Sequence, residues 1–143
     1  MKRIYLLIIC LLLSVGGCEF GNSLEQTSWI HGKWISIGRS KDTVKRDKSP
    51  APGHVVFFTR NGKIKRYSKD TGWKLIKGFF KTKDSVLKMR VLEDFRDMGQ
   101  LRKDGKLIMN FSKGRYILYE RLPDNTKVEE LNIVEELPII DIN

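Results

Sequence analysis

Between residues 29 and 122, apolar and polar residues alternate in short runs, and turn-forming residues separate the runs at intervals of roughly 8–12 positions. Leu87, Met89 and Val91 would face one side of a strand while Lys88 and Arg90 face the other; Leu107, Met109 and Phe111 do the same against Asn110. A period of two suits a pleated strand with one dry face and one wet face. Asn61-Gly62 between two such runs is a strong hairpin signal, and Lys103-Asp104-Gly105 and Ser112-Lys113-Gly114 read as further turns. The expectation is eight strands, over 29–37, 54–60, 63–68, 73–81, 85–92, 98–102, 106–111 and 115–122. Residues 86–96 also carry apolar residues at spacing four, but β-branched Val86 and Val91 and the strict alternation favour a strand. Neighbouring strands joined by tight turns make an antiparallel meander. Eight such strands remove their exposed edges by closing into an up-and-down barrel, so the fold class expected is all-β.

Before this region lies a different kind of sequence. Lys2 and Arg3 precede an apolar run over 4–13, which ends in the small residues Ser14-Val15-Gly16-Gly17. That pattern reads as a secretory signal, and the run falls short of the ~20 apolar residues that a membrane-spanning helix needs. Val15-Gly16-Gly17-Cys18 resembles the lipobox of bacterial lipoproteins. The resemblance implies cleavage after residue 17 and lipid on Cys18. Glu19 next to it resembles the pattern sent on to the outer membrane in a Gram-negative host. The organisation expected is a signal peptide over 1–17, a lipidated tether over 18–27, a barrel over 28–123 and an acidic tail over 124–143. The tail holds Asp124, Glu129, Glu130, Glu135, Glu136 and Asp141 against Lys127, within a chain whose formal charge is +10. A short helix over 126–137, stopped by Pro138, is expected there, with 139–142 available to add to a sheet edge.

Gly32-Lys33-Trp34 on the first strand and Tyr119-Glu120-Arg121 on the last resemble the paired motifs of lipocalins and related calycin barrels. The resemblance implies that Trp34 plugs one end of the barrel and that the Arg121 guanidinium lies on its indole face. It also implies a ligand-binding interior. By position, Phe57, Phe79, Leu87, Met89, Leu107, Met109 and Tyr119 are expected to line that interior together with Trp34 and Arg121.

Catalysis finds little footing. The chain has no phosphate-binding loop, dinucleotide fingerprint, nucleophile elbow or metalloprotease motif. His31 and His54 have no nucleophile at a suggestive spacing. Glu93, Asp94 and Asp97 lie among Arg90, Arg96 and Arg102, which favours charge pairing over acid–base or calcium chemistry. No enzyme activity, metal or cofactor is expected. The basic residues are the other candidates: Arg39, Lys41, Lys45, Arg46 and Lys48 on a loop rich in glycine, proline and serine, and Lys63, Lys65 and Arg66 (with Arg60 and Lys69) on the first hairpin. Two functions follow. One is a lipid-anchored envelope protein carrying or sensing a small apolar molecule inside the barrel. The other is an inhibitor or immunity lipoprotein that binds an acidic protein through the basic loop and hairpin. Export argues against nucleic acid, and a monomer is expected.

Overall fold

The computed structural model describes residues 29–41, 52–91, 93–112 and 114–141. Cys18, Lys45, Arg46 and Lys48 lie outside the described residues, as do the proposed signal peptide and tether. What is described is all-β. Nine strands form one antiparallel sheet: β1 (Gly32–Arg39), β2 (Val55–Phe58), β3 (Ile64–Ser68), β4 (Gly72–Ile76), β5 (Phe80–Lys83), β6 (Val86–Val91), β7 (Asp94–Leu101), β8 (Leu107–Ser112) and β9 (Arg115–Arg121). Their order is β4-β3-β2-β1-β9-β8-β7-β6-β5, so the first and last strands pair at the centre.

The sheet is not closed into a barrel, which corrects the expectation from the sequence. The expected strand over 73–81 breaks at Lys77-Gly78-Phe79, where Gly78 takes φ +132°, a conformation that favours glycine. Its first half pairs with β3 and its second half with β6, and no ladder joins β4 to β5. Eight antiparallel steps separate the two across the sheet, so they run in the same direction. One bent segment therefore supplies both edges. Four Cα steps from Ile76 to Phe80 reach at most about 15 Å, which obliges the sheet to curl until its edges approach. The contacts agree with this. The Phe80 amide donates to the Gly62 carbonyl at 3.4 Å, and the Phe58 and Phe80 rings meet edge to face at 5.0 Å.

The concave face holds the main core, built from Trp34, Val56, Phe58, Ile64, Phe80, Leu87, Leu107, Met109, Ile117 and Tyr119. Trp34 closes one end of it. The indole Nε1 donates to the Ile30 carbonyl at 2.9 Å, and the Arg121 guanidinium stands over the ring, 5.5 Å from its centroid. Arg121 also donates to the carbonyls of Trp29 (2.8 Å) and His31. Gly32 has φ +119°, and an added Cβ would stand 3.2 Å from Arg121 Nη2. The Gly-x-Trp spacing thus serves the chain's turn under Arg121 as well as placing the indole.

The convex face carries an apolar row over β1–β3 that the C-terminal segment covers. Val128 and Ile133 pack on Val55, with Ile35, Tyr67, Leu122 and Leu131 around them. Only a 3-10 turn, Val128–Glu130, forms where a longer helix was expected. Farther on, the segment lies beside β1 beyond the end of β2. The Arg39 amide donates to the Pro138 carbonyl, the Ile140 amide donates to the Arg39 carbonyl (both 2.9 Å), and Ile139 forms a parallel bridge with Arg39. Of the edge strand expected from 139–142, the described residues form a single bridge, and on the central strand β1 rather than at an edge. The strand expected over 98–102 begins earlier, at Asp94. Asp97 pairs with Lys88 at 2.9 Å, and Lys81 Nζ stands 4.2 Å from the Phe95 ring centroid.

Candidate functional site

The residues expected to line a ligand cavity divide. Trp34, Leu87, Leu107, Met109 and Tyr119 do point into the concave face, where they are buried against one another, and Met89 packs on them half-buried. Phe57 and Phe79 do not. Phe57 pairs with Lys33 and Lys65 and so stands on the convex face, one pleat out of step with Trp34 and Val56. Phe79 lies in the bend between β4 and β5 and is 49% exposed. The clefts at Phe57 and Arg121, at Trp73 and Glu129, and at Arg96 and Tyr116 are not lined by Trp34, Leu87, Leu107, Met109 or Tyr119.

The basic residues divide too. Arg39 is not on an exposed loop: it ends β1 and is 3% exposed. Its Nε donates to the Leu137 carbonyl and its Nη2 to the Glu136 carboxylate, both at 3.0 Å. A buried guanidinium needs such partners, and here the acidic tail supplies them. Lys41 is exposed. Lys63 and Lys65 are exposed on the convex side, whereas Arg66, opposite Val56 and Lys74, belongs to the concave side.

What the register brings together is a row across the convex face. Lys33, Phe57, Lys65 and Leu75 are successive cross-strand partners on β1, β2, β3 and β4. The parallel row beside it is Ile35, Val55, Tyr67 and Trp73. The tail covers Ile35, Val55 and Tyr67, and leaves Trp73 at the margin, 37% exposed. The first row stays open, with Leu75 58% exposed. Lys33 Nζ donates to the carbonyls of Asp124 (3.2 Å) and Thr126 (2.7 Å), which orders the ammonium without neutralising it. Arg60 and Lys65 make no hydrogen bond or ion pair among the described residues. The Trp73 indole donates to Glu129 Oε1 at 3.2 Å. The Glu129 carboxyl is held below its ordinary range by its own backbone amide, then by that indole, with Lys33 adding to the effect.

Two clefts meet along this row. One, of about 320 Å³, runs between the row and the tail, lined by Lys33, Phe57, Lys65, Trp73, Thr126, Val128 and Glu129. The other, of about 640 Å³, shares Lys33 and Phe57 and continues past Arg60, Arg121, His31 and Asp124. Together they present cations flanking aromatic and aliphatic side chains. Lys33, Trp73 and Leu75 are members that the sequence-based candidates left out, whereas Arg60 was already among the basic residues of the first hairpin. The signal was pleat parity: Lys63 and Lys65 share a face that Arg66 does not.

A second polar cluster opens from the concave face. His54 Nε2 lies 2.7 Å from the Tyr119 hydroxyl, and its Nδ1 lies 3.3 Å from the Pro52 carbonyl. Burial lowers the His54 pKa, opposed by the Pro52 carbonyl and aided by the Arg66 charge. Burial raises that of Tyr119 well above the ordinary phenol range. Nδ1–H then donates to Pro52 while neutral Nε2 accepts from Tyr119, so both nitrogens are occupied. Among the described residues, no three His, Cys, Asp or Glu side chains come together as metal ligands.

No family model matches the chain, and neither a curated protein nor a solved structure does.

Proposed function

We propose that this is an exported, lipid-anchored envelope protein that acts by binding an acidic protein, as an inhibitor or immunity lipoprotein does, and that it performs no catalysis. Lipid on Cys18 would hold it at the bilayer. The observation that carries the reading is the open convex row, where Lys33, Lys65 and the nearby Arg60 flank half-buried Phe57 and exposed Leu75. Buried apolar anchors ringed by charge are what a protein partner uses, and the positive field speeds its encounter. The lipocalin-like reading draws on the meander order and on Arg121 above Trp34, and the open ladder between β4 and β5 departs from it. A carrier of a small apolar molecule draws less support, because the interior positions expected to hold such a ligand pack on one another.

Two measurements test this. The full chain and its Cys18→Ser variant are expressed in a bacterium and fractionated; the parent should stay with membranes and the variant should not, and retention of both would refute the anchor. The soluble Cys18→Ser chain is then titrated with poly-glutamate and with a fluorescent fatty acid. Binding of the polyanion, weakening with salt, is the expected result. Stoichiometric uptake of the fatty acid without polyanion binding would restore the carrier.

A further inference from the structure

We infer that the open convex row docks an acidic amphipathic helix of the partner protein, lying across β1–β4 with carboxylates and apolar side chains alternating along its inner face. This rests on the acidic-partner reading above and names where and in what form the partner binds.

Spacing is the first argument. Neighbouring strands lie about 4.8 Å apart, so Lys33 and Lys65, two strands apart, stand about 10 Å from each other. A helix rises 1.5 Å per residue, so two glutamates seven residues apart are separated by about 10.5 Å. A leucine midway between them falls over Phe57, and another half a heptad farther on falls over Leu75. An extended peptide repeats its same-side residues every ~6.7 Å, which loses step with the strands after one residue.

The chain's own tail is the second argument. Along the neighbouring row, apolar Val128 is buried on Val55 while the adjacent Glu129 accepts from Trp73; at the far end of β1, outside both rows, Glu136 accepts from Arg39. This face already binds an acidic, apolar segment, and the open row offers the same chemistry again. Shape is the third. The 320 Å³ groove is walled on one side by Thr126, Val128 and Glu129, so it admits a rod rather than a flat bilayer. A second copy of this chain is a poorer fit, since the acidic turn Val128–Glu130 is three residues long and already packed on its own sheet.

The test uses the mature chain with Cys18→Ser and two helix-length peptides of about 20 residues. One carries glutamates seven residues apart with leucines midway; the other has the same composition with glutamate and leucine at every second position. Amide chemical shifts report binding. The helical pattern should bind about tenfold or more tightly than the alternating one. Its shifts should centre on residues 57, 65 and 75. Lys65→Glu should weaken it by a further order of magnitude and Leu75→Ser severalfold. Both side chains are exposed, so thermal unfolding should not change. Equal affinity for the two peptides overturns the inference. So does binding of phosphatidylglycerol vesicles, or self-association, that Lys65→Glu abolishes in the absence of peptide binding. If poly-glutamate still binds Lys65→Glu unchanged and neither peptide binds, the docking site is refuted while the acidic-partner reading stands. If no acidic probe binds at all, both fall.

Discussion

Replacing Trp34 with alanine tests the architecture at the point where most of it converges. The side chain is essentially fully buried in the main core. An aromatic of this size buries on the order of 200 Å², which at ~25 cal/mol/Å² corresponds to about 5 kcal/mol, less about 1 for the methyl that alanine keeps. The Ile30 carbonyl would lose its donor, adding about 1 kcal/mol. Arg121 would lose the ring beneath it, ~0.5–1 kcal/mol for a cation that remains largely solvated. Partial collapse of the cavity offsets some of this, so the expected loss is about 3–5 kcal/mol, the usual range for removing a buried aromatic. Urea unfolding of the mature chain, followed by circular dichroism, measures it. With a slope of ~1–3 kcal/mol/M for small domains, the midpoint should fall by more than 1 M. A loss below about 1 kcal/mol would mean that Trp34 is not buried in a core, and the arrangement of β1 against β9 would have to be abandoned.

Other outcomes follow from the same contacts. His54 has a folded-state pKa below its ordinary value of 6.5, so the unfolded chain binds a proton that the folded one refuses. Its contribution is fully present above pH 6.5 and declines as pH falls from there toward the lowered value; denaturation midpoints at pH 7.5 and 5.5 should show the decline, and His54→Gln should reduce it. Tyr119→Phe should cost roughly 1–3 kcal/mol, because it removes the hydroxyl from His54 Nε2 inside the fold; an unchanged melting temperature would refute the pairing. Gly38→Ala would place a methyl 2.4 Å from Ile140 Cδ1 and 2.9 Å from its Cγ2. Hydrogen exchange should then show faster exchange at the Ile140 amide with the central strands still protected, and unaltered protection would refute the tail's docking on β1.

The strands and their turns were legible because alternation and turn chemistry are local. The Asn61-Gly62 turn, the Asp104-Gly105 turn and the strand reading of 86–91 all hold in the structure. So does the Trp34–Arg121 contact, for two short motifs on the first and last strands were enough to bring β1 and β9 together. Phe57 was illegible for a physical reason. Val55-Val56-Phe57-Phe58 is apolar on both faces, so the run carries no parity of its own; only its register against Trp34 shows that Val56 and Phe58 face in while Phe57 faces out. The same pleat separates Lys65 from Arg66, which adjacency in the sequence had grouped. Arg39 sat among glycine, serine and lysine and read as loop; its partner Glu136 is far away in sequence, and nothing local announces that pairing. The break at Gly78 depends on the bend between two edges, which no single strand encodes.

The apolar character of β2 on both faces also explains why the acidic tail matters. A sheet of this kind buries its concave face by curling, but its convex face needs a cover, and residues 122–140 supply one. The cover is short. It reaches Ile35, Val55 and Tyr67, and it spends Glu136 on Arg39 and Glu129 on Trp73. The row ending at Leu75 is left with Lys65 unpaired among the described residues and Leu75 exposed. A tail that covers three positions of one row and reaches only Lys33 on the next leaves Lys65 and Leu75 exposed, at the end of the fold where Arg60 and Arg121 add further positive charge. On that ground the open row, rather than the filled interior, is where a partner should be sought.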